Sequence, residues 1–225
     1  MRGTALVELG RYAEAIAAIE ESLRRMGDRL AADHPMRLGS LQNLAGALRA
    51  AGDHAKAAST LQEVVRLRRQ SSHGADLGAG LTALSRDLIA LGRYDEAETA
   101  LTEASAISAA SHADDGGYDP APDTMLAEVA IGKGQRDRAR ALLEQVIARS
   151  TQSADVKTRA EAEAMLGELL WDAGEQRTRA IALVESALAR LELRPNAKAQ
   201  VEELRVWLDR HTLGGPEIVL LAAPK

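Results

Sequence analysis

The sequence contains no cysteine, which excludes disulfides, thiolate metal sites and a cysteine nucleophile. It has no phenylalanine and only five aromatic residues, Tyr12, Tyr94, Tyr118, Trp171 and Trp207, so a core must be built from aliphatic side chains. Excess positive charge is missing too. The formal charge is -5, the wrong sign for a nucleic-acid footprint, and no nucleic-acid partner is expected. No apolar run approaches the ~20 residues of a membrane span, and Glu8 falls too early for the apolar segment of a secretory signal. No membrane contact and a cytoplasmic location are therefore expected. The patterns GxSxG, HExxH and GxxxxGK[ST] do not occur, and the chain is expected to be no enzyme and to carry no cofactor or metal.

What is present is aliphatic and periodic. Apolar residues make up 46% of 225 and charged residues 27%, an ordinary balance for a folded chain. The stretch from Leu81 to Ala104 shows the pattern most clearly. Leu81, Leu84, Leu88 and Leu91 are spaced by threes and fours; Gly92-Arg93-Tyr94 interrupts; Ala97, Leu101 and Ala104 resume the spacing. Two amphipathic helices joined by a tight glycine turn account for this arrangement.

The same unit recurs along the chain. Turn glycines stand at Gly10, Gly52, Gly92, Gly134 and Gly174, spaced 42, 40, 42 and 40 residues apart. Each of the first four is followed five residues later by an alanine, Ala15, Ala57, Ala97 or Ala139; the fifth turn carries one extra residue before Ala180. A fixed period means a stack in which each hairpin covers its neighbour's open face. In the second hairpin Leu41, Leu44, Ala45 and Leu48 face Ala57, Leu61, Val64 and Val65. The alanine marks the closest approach of the two helices.

These residues resemble the tetratricopeptide repeat, with Leu-small, Gly-x-Tyr and Ala as landmarks. The matches are Leu44-Ala45 with Gly52 and Ala57, Leu84-Ser85 with Gly92, Tyr94 and Ala97, Leu126-Ala127 with Gly134 and Ala139, and Leu166-Gly167 with Gly174. The period exceeds the usual one of about 34. Asp33-His34-Pro35 followed by Leu41-Gln42-Asn43-Leu44-Ala45 is similar to the longer kinesin-light-chain type. The glycine turn argues against a HEAT array and the helical spacing against a propeller. The resemblance implies an all-α, right-handed superhelix of about five antiparallel helical hairpins over residues 1–190.

Outside the repeats, Ser111 to Pro122 has a loop composition. Asp123-Thr124 is expected to cap the following helix and Ser153 the fifth hairpin. Residues 195–213 read as a C-terminal capping helix, opened by Pro195 with Ala197, Val201, Leu204 and Leu208 on one face. Residues 214–225 read as an extended tail, docked locally, disordered, or added as a strand to a partner. The first hairpin is short, which fits either a trimmed end repeat or the C-terminal part of something longer; the second is favoured.

Several clusters have plain explanations. Gly132-Lys133-Gly134 reads as a helix-ending turn, and His112, Asp114, Asp115 and Asp119 as a solvated acidic loop whose spacing fits no EF-hand. Arg66, Arg68 and Arg69 sit near a helix C-terminus, where cations meet the helix dipole favourably. His54 takes the turn position of Tyr12 and Tyr94 and is expected to pack.

The resemblance also implies a binding surface, a concave groove lined by the first helix of each hairpin. Counting from the turn glycines places Gln42, Asn43 and Arg49 there from the second hairpin and Arg86 and Ile89 from the third. Glu128 and Ile131 follow from the fourth, and Glu168, Trp171 and Asp172 from the fifth. Such a groove is cationic in the middle and acidic around an aromatic at its C-terminal end. Trp171 has a second reading, packing against the capping helix. Asn43 matches one position of a chaperone-tail clamp, but Ala79 and Ala83 stand where its basic residues belong. The expected function is a non-catalytic scaffold for a protein or peptide. The alternative is a C-terminal sensory or regulatory portion of a larger signalling protein, with a kinase or nucleotide switch upstream.

Overall fold

The computed structural model describes residues 5–7, 9–27, 29–70, 74–112, 117–150, 156–174, 176–194 and 196–212. The expectations for Ser153, Pro195, Asp114, Asp115 and the tail at 214–225 lie outside them. Every element described is helical. After a helical stretch at 5–7 come α1 (Tyr12–Gly27), α2 (Pro35–Ala50), α3 (His54–Gln70), α4 (Gly74–Ala90), α5 (Tyr94–Ser111) and α6 (Ala121–Gly132). Then follow α7 (Arg136–Arg149), α8 (Val156–Asp172), α9 (Arg177–Glu192) and α10 (Lys198–Thr212). The chain forms two compact units, Met1–Gln135 and Arg136–Lys225.

In the first unit each helix from α1 to α6 packs on the next, and α4 also touches α6. In the second, α7 packs on α8, α8 on α9 and α9 on α10. Within the hairpins α2–α3, α4–α5 and α8–α9 this packing follows from turns too short to carry the chain anywhere else. At Gly52, φ is 83°; Asp53 N–H donates to Leu48 O and Gly52 N–H to Arg49 O, each 2.9 Å long. This pair of bonds closes the helix end through a left-handed residue that glycine adopts at little cost. The pair recurs at Gly92 and Gly134. The extra residue of the fifth turn is absorbed by a second left-handed position, Gln176, at φ 47°.

Ala15, Ala57, Ala97, Ala139 and Ala180 are all fully buried, as the closest-approach argument requires. Opposite Ala180 stands Gly167, where a Cβ would lie 2.6 Å from Val184 Cγ2 and 2.8 Å from the Ala180 carbonyl oxygen. A side chain can turn aside, but a backbone carbonyl in a helix cannot. Gly167→Ala is expected to destabilise the second unit by about 1–3 kcal/mol through overpacking, read from urea unfolding.

The approach to α6 differs from the expectation. The helix begins at Ala121, so Asp123 and Thr124 lie in its first turn rather than capping it. Prolines fit that turn because its N–H groups have no intrahelical acceptor. Asp119 Oδ1 accepts from Ala121 N–H at 3.0 Å, while Asp123 is buried and accepts from Ser105 Oγ and Tyr118 OH, both at 2.8 Å.

Candidate functional site

Helical periodicity turns one face of α2, α4 and α6 away from their partners. On it Asn43, Arg86 and Glu128 are exposed, Ile131 is 39% exposed and Ile89 is half-buried. Between them stand only small residues, Gly39 and Gly46 on α2 and Ala79 and Ala83 on α4. A Cβ at either glycine would meet nothing within 4 Å. Internal packing therefore does not require them, although a mid-helix glycine costs about 1 kcal/mol against alanine.

Two residues counted onto this face are tied into the fold. Gln42 Oε1 accepts from Arg68 Nη2 at 3.0 Å. Arg49 reaches from α2 to α4, donating from Nε and Nη2 to the two carboxylate oxygens of Asp87 at 2.9 and 2.7 Å, and to Ala83 O at 3.2 Å. Asp87 is 0% exposed, and His54 Nδ1 lies 3.0 Å from its Oδ1. His54 thus hydrogen-bonds rather than merely packs. In the register of the repeats Asp87 replaces Ala47, Val129 and Leu169, Arg49 replaces Ile89, Ile131 and Trp171, and His54 replaces Tyr12 and Tyr94. Three polar residues substitute together for an apolar contact. That signal was available in the sequence: an acid in an apolar column, with an arginine and a histidine out of column beside it.

Where the apolar form is kept, at Tyr94, the ring lies over Gly132. Lys133 in the same turn donates to Asp95 at 2.6 Å and Glu98 at 2.8 Å. These bonds hold the Lys133 ammonium above its ordinary pKa and make the turn an inter-helix tie. On the face built by the second helices, α3 and α5 leave a groove of about 570 Å³ floored by Leu81, Leu84 and Leu88. Its rim charges are paired with one another or locally: Arg69 with Glu103, Arg66 with Glu63 and Glu96 with Arg93.

In the second unit Trp171, at the end of α8, meets Trp207 of α10 edge-on, with ring centres 5.6 Å apart at 78°. His211 completes the cluster at 4.7 Å from Trp171 and 4.3 Å from Trp207. Arg177 places its guanidinium 5.1 Å from the centre of the Trp171 ring. Trp171 and Trp207 are both partly exposed. Glu168 is exposed on the same face as Trp171; partial desolvation first, then the charges of Asp172 and Glu203, push its carboxyl above the ordinary range, with His211 opposing. Asp172 is exposed, with Arg136 at 3.7 Å. Deeper in this unit Glu163, 2% exposed, accepts from Arg159 Nε at 2.9 Å, and from Arg190 Nε and Ser186 Oγ at 3.0 Å.

Among the described residues no group of three or more acidic or histidine side chains is placed to hold a metal ion, and no helix is long and apolar enough to cross a membrane.

Stacked helical hairpins with glycine turns and alanine crossings define a helical-repeat protein. Two profiles of the tetratricopeptide repeat match residues 1–70 and 88–162. The chain belongs to the tetratricopeptide-repeat family, of the long-period kinesin-light-chain-like type. A Podosopora anserina protein described as a kinesin light chain with nearly identical TPR-like repeats is 26% identical, with 88% of this chain and 92% of that one covered and a TM-score of 0.70. BtubC (BKLC) from P. vanneervenii shares the fold at 20% identity, covering 90% and 83%, with a TM-score of 0.71. The Rap conjugation gene regulator of plasmid pLS20, solved in complex with the Phr* peptide, shares it at 13% identity. There the match covers 95% of this chain and 57% of that one, with a TM-score of 0.74. A search of curated proteins returns no match.

Proposed function

We propose that the chain is a non-catalytic, cytoplasmic scaffold that holds a protein or peptide against the open face of its first helices. The observation that carries this reading is the pair Gly39 and Gly46 flanking exposed Asn43 on α2. No described residue occupies the space above them, and a segment lying close along the helix makes use of it. Arg86, Glu128 and Ile131 on the next helices supply charge and apolar area of the kind partner segments bind. The Rap regulator, which has this fold at low identity, is a protein seen with a peptide, and that supports the reading.

The test leaves Arg49 alone, because its loss would disturb Asp87. An Asn43→Ala, Arg86→Glu variant is expected to keep its stability within about 0.5 kcal/mol, since both positions are exposed surface. Capture of a partner held by the parent should fall by a factor of about 30, the weight of about 2 kcal/mol at a binding hot spot. Equal capture by both proteins would remove this face from consideration.

A further inference from the structure

We propose that the face shared by α8 and α10 docks a basic peptide segment of a partner protein, with a lysine or arginine head between Glu168, Asp172 and Glu203 and its aliphatic stem along the Trp171–Trp207 pair. This rests on the scaffold reading and names the chemistry of the partner at one end of it.

The argument begins with helical spacing. Glu168, Trp171 and Asp172 share one face of α8 at intervals of three and four, and Glu203, Trp207 and His211 share one face of α10 at intervals of four. The Trp171–Trp207 and Trp171–His211 contacts bring these faces together, and Gln200 Nε2 donates to Glu161 Oε1 at 3.2 Å further along the same helices. Both tryptophans of the chain are therefore committed to a single surface, where each remains partly exposed. Folding gains less from a partly exposed indole than from one wholly inside the core, whereas tryptophan is among the residues most enriched at binding hot spots.

The charges around the rings are the wrong sign for one another. Glu168 and Glu203 form no ion pair among the described residues, and Glu168 and Asp172 repel at i,i+4 on one helix. The groups facing them are Arg177 over the Trp171 ring, Arg136 at 3.7 Å from Asp172, and His211. A cation from outside relieves this repulsion, and an anion adds to it. Arg177 also shows that the indole accepts a guanidinium, the contact an incoming basic side chain would make on the aromatic pair.

Excited selectively, beyond the absorption of Tyr12, Tyr94 and Tyr118, the two tryptophans make the fluorescence of the full chain a reporter of this surface. Three acetylated, amidated peptides share an alternating leucine frame and carry lysine, glutamine or glutamate at the other positions. The lysine peptide is expected to shift the fluorescence saturably, with an apparent Kd about tenfold below that of the glutamine peptide. The effect should weaken as salt is raised and be lost in a Glu168→Gln, Glu203→Gln variant. Both positions are exposed, and the removal of like charges leaves the fold intact, as circular dichroism would verify. A Trp171→Phe variant should lose affinity for the lysine peptide as well. Equal or tighter binding of the glutamine or glutamate peptide, or undiminished lysine-peptide binding by the charge variant, would overturn the basic partner and leave the scaffold reading standing. Silence from all three peptides would also overturn it, while the scaffold reading is decided separately by the Asn43 and Arg86 capture experiment.

Discussion

Replacing Arg49 with alanine is expected to cost about 3–5 kcal/mol, because it strands a carboxylate in the interior. Asp87 has no exposed surface, and its two strongest bonds come from the Arg49 guanidinium. His54 alone remains beside it, through one nitrogen. The loss should appear in urea unfolding as a lower midpoint. In amide hydrogen exchange it should concentrate in α2 to α4, since repeat arrays open locally. The counterpart is the triple change Arg49→Ile, His54→Tyr, Asp87→Val, which writes the residues of the other hairpins into this interface. Exchanging a buried ion pair for packed apolar residues is commonly neutral or stabilising by about 1–4 kcal/mol. The triple variant is therefore expected to be at least as stable as the parent. Should the single change prove harmless, the Asp87 carboxylate does not depend on Arg49, and this account of the pair fails.

Glu163→Ala is the second large effect, at about 3–5 kcal/mol. Glu163 joins two helices: Arg159 lies one turn before it on α8, and Arg190 and Ser186 lie on α9. Alanine leaves two guanidinium groups facing each other across a void. Both arginines are partly exposed, at 23% and 34% of their side chains, and their escape to water places the cost at the lower end of that range. Glu163→Gln retains the shape and an acceptor, and is expected to cost about 1.5–3 kcal/mol, the weight of a hydrogen bond to a charged group. Thermal unfolding of the two variants in parallel separates the charge from the contact.

The fold was legible because its determinants are local. A glycine, an alanine five residues on and a Leu-small pair before them specify turn, crossing and partner face within one hairpin. The same counting placed Asn43, Arg86 and Glu128 on an open face. It did not separate Arg49 from them, because register fixes where a side chain starts and not where a long one ends; Asp87 lies 38 residues further on. Trp171 reads both ways in the sequence; the structure shows the packing on α10, through Trp207, with the residue left partly exposed. The capping role given to Asp123 and Thr124 failed because Pro120 and Pro122 both suit a helix start, and the sequence does not say which proline begins the turn.

The arginine, histidine and aspartate between the second and third hairpins also bear on how such an array grows. Repeat proteins lengthen by copying a unit in tandem. A copy of the third hairpin set in front of itself would present Ile89 and Tyr94 to the incoming Asp87, where the native neighbour presents Arg49 and His54. The carboxylate would then face hydrocarbon and a phenol. Duplication of the third hairpin by itself would thus strand that carboxylate, whereas duplication of the second and third together would keep Arg49 and His54 beside it. The order of these two hairpins is written into the protein's interior.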